Sequence, residues 1–84
     1  MEIRQLTDSL EKQNVTRLVL EALPDWFGIQ EAREEYIAES ANKVFFCAYD
    51  EDRPIGFLCL KETGKDTVEI YVMGVLSEFH RKGI

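Results

Sequence analysis

At 84 residues and 9.7 kDa the chain has room for one small domain, since compact domains usually run to about 100–150 residues. Two cysteines and one histidine rule out a four-ligand zinc finger of the usual kind, and a net charge of −6 argues against the broad basic surface of a nucleic-acid binder. No apolar run approaches the roughly 20 residues that span a membrane, and the N-terminus lacks the pattern of a signal peptide, so the default compartment is the cytoplasm.

Met1 to Leu6 alternates apolar and polar residues, which predicts a short strand. Thr7-Asp8-Ser9 interrupts it. Asp8 and Glu11 have the spacing of a helix N-cap, in which a side-chain oxygen accepts from an otherwise unpaired backbone N–H. Leu10, Val15, Leu18, Val19 and Ala22 follow at near-helical spacing and predict a first helix over about residues 8–22, ended by Pro24.

The turn-like stretch Leu23-Pro24-Asp25-Trp26-Phe27-Gly28 carries two adjacent large aromatics. Trp26 and Phe27 either plug the end of the core or line a substrate cleft, because functional groups gather on loops held by a scaffold. Ile29, Ala32, Tyr36 and Ile37 then predict a second amphipathic helix ending near Asn42. Glu21, Asp25, Glu31, Glu34, Glu35 and Glu39 stand against a single base, Arg33. They read as a solvated helix face or as an anionic rim that attracts a cationic substrate.

From Lys43 the pattern changes to strands: Val44 to Tyr49, Ile55 to Leu60 and Thr67 to Val75, separated by the loops Asp50 to Pro54 and Thr63 to Asp66. These predict a three-stranded antiparallel meander. Val44 to Tyr49 is apolar throughout, so neither face of the sheet is built to be wet, yet two adjacent helices normally cover only one face. Cys47 and Cys59 lie mid-strand and read as core residues rather than as nucleophiles partnered by His80. Tyr36, Tyr49 and Tyr71 read as core or cleft-lining.

This order of elements, followed by Glu69-Ile70-Tyr71-Val72-Met73-Gly74-Val75-Leu76-Ser77-Glu78-Phe79-His80-Arg81-Lys82-Gly83-Ile84, resembles the GNAT family of acetyl-CoA-dependent N-acetyltransferases. The family motif is Gln or Arg, two variable residues, Gly, one variable residue, then Gly or Ala. Here His80 stands in the first position and Gly83 in the fourth, and Ser77 stands where many members have proline.

The resemblance implies an α+β fold of order β-α-α-β-β-β, with residues 1–84 forming the first half of one N-acetyltransferase domain and ending inside its pyrophosphate loop. It implies transfer of an acetyl group from acetyl-CoA to a primary amine, without a metal, nucleic acid or membrane partner. The acidic 21–39 segment and Trp26-Phe27 favour a small cationic amine over a protein acceptor. Main-chain groups of Met73, Gly74 and Val75 would hold the acetyl carbonyl and pantetheine arm, fixed dipoles needing no reorganisation as charge develops. His80, Arg81, Lys82, Gly83 and Ile84 would supply the amides and positive charge that meet the pyrophosphate, with Gly83 allowing close approach.

Glu69 is the matching candidate for general base, although a cross-strand lysine such as Lys61 offers it a purely structural partner. The group that protonates the departing thiolate is expected beyond Ile84. A second reading is a non-catalytic module that self-associates as a dimer through its exposed sheet edge.

Overall fold

The computed structural model describes residues 1–79. Strand β1 spans Glu2–Leu6, helix α1 Ser9–Glu21, helix α2 Gln30–Ser40, and strands β2, β3 and β4 Val44–Asp50, Arg53–Gly64 and Thr67–Val75; a single 3-10 turn, Ser77–Phe79, follows. The fold is α+β. Its sheet is antiparallel throughout, in the order β1-β2-β3-β4, so the helical crossover returns β2 to the side of β1 and the meander continues outward to β4.

The Asp8 carboxylate accepts from the Glu11 N–H at 2.9 Å and caps α1 as the spacing predicted. The face α1 buries differs from the expected stripe. Val15, Val19 and Leu20 are buried with the polar Lys12 and Thr16, while Leu10 and Leu18 are 64% and 47% exposed. One local and two long-range bonds make the polar residues acceptable inside. Thr16 Oγ1 donates to the Lys12 carbonyl at 2.8 Å, and Lys12 Nζ donates to the Lys43 carbonyl at 2.7 Å and the Ala41 carbonyl at 3.4 Å. That ammonium sits at the end of α2, whose last turn has no base of its own and whose dipole favours a cation there.

Helix α2 packs mainly on α1. Its apolar stripe is narrower than expected: Ile29 is the N-cap and lies 71% exposed, Ala32 is exposed, and only Ile37 and Ser40 are fully buried. Arg17 fixes the pair, reaching Glu34 through two bonds of 2.8 Å and Glu21 at 3.2 Å.

Between α1 and the sheet lies the core, where Phe45, Cys47, Phe57, Cys59 and Val72 meet Val15, Val19, Leu20 and Leu23. Phe45 and Phe57 stack at 5.3 Å. Strand β3 is longer than predicted at both ends, because the connecting turns shrink to Glu51-Asp52 and Lys65-Asp66. Pro54 is thereby a strand residue, opposite Tyr49 and next to a bulge at Ile55, a place where a missing donor is tolerated.

Candidate functional site

Strand β4 is an edge strand of this sheet. Leu76 N–H donates to the Ile55 carbonyl at 2.9 Å, and the register pairs Gly56 with Val75, Phe57 with Gly74 and Leu58 with Met73. In an antiparallel ladder hydrogen-bonded and non-hydrogen-bonded pairs alternate. Gly74 therefore turns its N–H and C=O toward Phe57, whereas Met73 and Val75 turn theirs away from β3. The outward row alternates along the strand and does not include all three residues singled out from the sequence.

Gly74 has a different physical reason to be glycine. A Cβ there would lie 3.0 Å from Val19 Cγ1, 3.4 Å from Phe57 Cε1 and 3.5 Å from Leu23 Cδ1. Its absence lets α1 lie close against β4.

Pairing shifts by one residue between Cys59/Val72 and Leu60/Ile70, leaving Tyr71 as an extra residue on β4. Such a bulge bends a strand and re-aims a side chain. Tyr71 here meets Tyr36 of α2 edge-on at 5.4 Å, Tyr36 meets Phe27 at 6.1 Å, and Lys43 Nζ lies 4.5 Å over the Tyr71 ring. Burial, followed by the charges of Glu35 and Glu39, raises the Tyr71 hydroxyl above its ordinary pKa.

Trp26 and Phe27 part company in this arrangement. Phe27 packs against the core and continues the aromatic row, while Trp26 is 74% exposed. The turn that separates them depends on Gly28, where a Cβ would come within 2.7 Å of the Pro24 carbonyl oxygen. Half of the six acids of this segment have a basic partner. Glu21 and Glu34 bind Arg17, and the Arg17 guanidinium holds the Glu34 carboxyl below the usual carboxylate range. Glu39 faces Lys43 at 3.9 Å, and Arg33 turns inward to donate to the Phe27 carbonyl at 3.1 Å.

Glu69 is exposed and sits directly opposite Lys61 on β3. Cys47 and Cys59 are fully buried, and burial pushes both thiols up, which is the environment of inert core cysteines. Among the described residues no group of three His, Cys, Asp or Glu side chains is placed to hold a metal ion, and no helix is long and apolar enough to cross a membrane. His80, Arg81, Lys82, Gly83 and Ile84 lie outside the described residues.

The sheet face away from α1 carries a further feature. An apolar hollow of about 370 Å3, lined by Ile3, Phe46, Leu58, Met73 and Val75 among others, runs up to the outer edge of β4. Its apolar lining was legible in the unbroken Val44 to Tyr49 run. The bulge at Tyr71 and the alternation of the outward row were not, because both depend on pairing with β3.

The fold has solved counterparts. A PaiA N-acetyltransferase from Thermoplasma acidophilum, solved in complex with coenzyme A, superposes with a TM-score of 0.66 at 19% identity over 100% of this chain and 65% of its own. An aminoglycoside 6'-acetyltransferase type Ii gives a TM-score of 0.61 at 21% identity over 92% of this chain and 52% of its own. The chain thus spans between about half and two thirds of the lengths of these proteins. Comparison with curated protein sequences gives no match. The sequence profile of the Acetyltransferase (GNAT) family matches residues 3–84, nearly the whole chain, and the chain belongs to that family.

Proposed function

We propose that this chain carries the acetyl-donor half of an N-acetyltransferase site, in which acetyl-CoA gives its acetyl group to a primary amine. The observation that carries this is the edge of β4: the main-chain groups of Met73 face outward beside an apolar hollow, a few residues before a basic, glycine-containing segment. An extended arm that alternates amide and methylene groups matches such a surface, with amides bonding along the edge and methylenes against Met73 and Val75. The coenzyme A bound to the Thermoplasma relative supports the same ligand class. Arg81, Lys82 and the amides around Gly83 are assigned to the pyrophosphate, where side chains in an otherwise acidic chain supply charge.

Acyl transfer needs the oxyanion stabilised and the amine deprotonated. An outward N–H of β4 serves the first need as a preset dipole. Glu69, the carboxylate nearest along the same strand, is assigned to the second. The exposed Trp26, Asp25 of the α1–α2 connection and Glu31 in the first turn of α2 favour a cationic small-molecule amine.

Titration of acetyl-CoA by calorimetry, followed by a thiol-release assay with an amine panel, tests this. Saturable binding lost in Gly83→Leu supports the loop assignment. Glu69→Gln is expected to lower kcat while leaving acetyl-CoA affinity unchanged; equal activity in that variant would return Glu69 to its pairing with Lys61. The exposure of Ile3, Val68, Ile70 and Met73, from 49% to 59%, favours a second reading in which the chain self-associates through this face and edge. Sedimentation would then show a dimer without ligand, and turnover would be absent.

A further inference from the structure

The contacts at the start of β3 converge on the last residues before His80. Glu51 and Asp52 both have positive φ, 51° and 69°, the geometry of a two-residue hairpin turn that usually takes Asn-Gly. The turn is held from the side by Arg4, whose guanidinium donates to the Asp52 carboxylate at 3.0 Å. Arg53, the next residue, leaves this anchored turn toward the far end of β4. Its Nη2 donates to the Glu78 carboxylate, and its guanidinium carbon lies 5.9 Å from the centre of the Phe79 ring.

Phe79 is itself buried in the core cluster. Its N–H donates to the Leu76 carbonyl at 2.9 Å, while the Leu76 N–H is held by Ile55, two residues along β3 from Arg53. The 3-10 turn is thus gripped by one short stretch of β3, through its backbone at Ile55 and its side chain at Arg53.

We propose that Arg53 is a positioning residue for cofactor binding: through Glu78 and Phe79 it fixes the Ser77–Phe79 turn against the start of β3, immediately before the residues assigned to the cofactor. The role rests on the cofactor assignment of residues 80–84 made above. Arg53 and Glu78 are 57% and 55% exposed, and a pair so open to water contributes little to global stability. Its effect is therefore expected in ligand affinity rather than in folding.

The test is a calorimetric titration of coenzyme A into the wild-type chain, Arg53→Gln, Glu78→Gln, the double variant, the charge swap Arg53→Glu with Glu78→Arg, and Gly83→Leu. Urea unfolding and the amide 15N shifts of Leu76 to Phe79 are recorded on each. Positioning predicts that Arg53→Gln and Glu78→Gln each weaken affinity by about three- to fivefold, with the double variant no worse than either and the swap recovering most of the loss. The amide shifts of the turn move without ligand, and the urea midpoint stays near wild type.

Direct attraction between Arg53 and the phosphates predicts the opposite sign at Glu78, because removing that carboxylate would then tighten binding. Tighter binding by Glu78→Gln overturns the positioning role. So does binding that Gly83→Leu abolishes but the Arg53 and Glu78 variants leave unchanged, an outcome that keeps the cofactor assignment standing. No binding by wild type, or binding insensitive to Gly83→Leu, overturns the cofactor assignment and the role of Arg53 with it.

Discussion

Phe45 and Phe46 are neighbours on β2 and share a side-chain type, yet the sheet gives them different work. Phe45 is fully buried beneath α1 and stacked on Phe57; Phe46 is half-buried and lines an open apolar hollow. The same contrast runs across the sheet. One face supplies nearly all of the enclosed core, while the other leaves Ile3 and Met73 in water beside an outward main-chain edge. Apolar residues therefore enclose the core on one face and stay open to water on the other.

The largest expected effect comes from attacking the covered face. Phe45→Ala should cost about 3–5 kcal/mol in urea unfolding, the usual range for truncating an enclosed aromatic, whereas Met73→Ser should stay within about 0.5 kcal/mol. Comparable losses at the two sites would erase the distinction. Next comes Gly74→Val, which overpacks the α1–β4 contact. With Val19 Cγ1 only 3.0 Å from the new Cβ, a loss of about 1–3 kcal/mol is expected, and a neutral result would mean that α1 shifts freely on β4.

A pH experiment separates the faces more gently. Burial raises the pKa of Cys47 and Cys59 and pushes Tyr49 up to about 12, so the folded chain favours their neutral forms. Above about pH 8.5 the unfolded chain releases thiol protons first, so the stabilising contribution is full below that pH and falls as pH rises through the folded values, Tyr49 adding to the loss between about 10 and 12. Labelling of either thiol at pH 8 should track unfolding; fast labelling of folded protein would contradict the enclosed core. The smallest effect is expected at Trp26→Ala, which at 74% exposure should leave stability within about 0.5 kcal/mol while raising KM for a cationic amine.

Local chemistry made much of this architecture readable in advance. Asp8 capped the helix it was expected to cap, Thr67 and Val75 bound the last strand as predicted, and the unbroken run from Val44 to Tyr49 told of a sheet apolar on both sides. What stayed hidden depended on partners distant in the chain. Lys12 and Thr16 looked like surface residues until the carbonyls just after α2 and a local helix bond accounted for them. Trp26 and Phe27 looked equivalent until the turn at Gly28 sent them apart. For the site, the strand was evident but the alternation of outward groups required the β3 register, and the grip of Arg53 on Glu78 spans a separation no spacing rule covers.

Met73→Pro tests the central claim most directly. Proline removes the Met73 N–H, which faces away from β3, leaves the β3–β4 ladder without a lost donor, and changes a side chain that is already exposed. If the edge of β4 holds the acyl-donor arm, acetyl-CoA affinity measured by calorimetry should fall by about tenfold with little change in the urea midpoint. Acetyl-CoA bound equally well by Met73→Pro and wild type would contradict it.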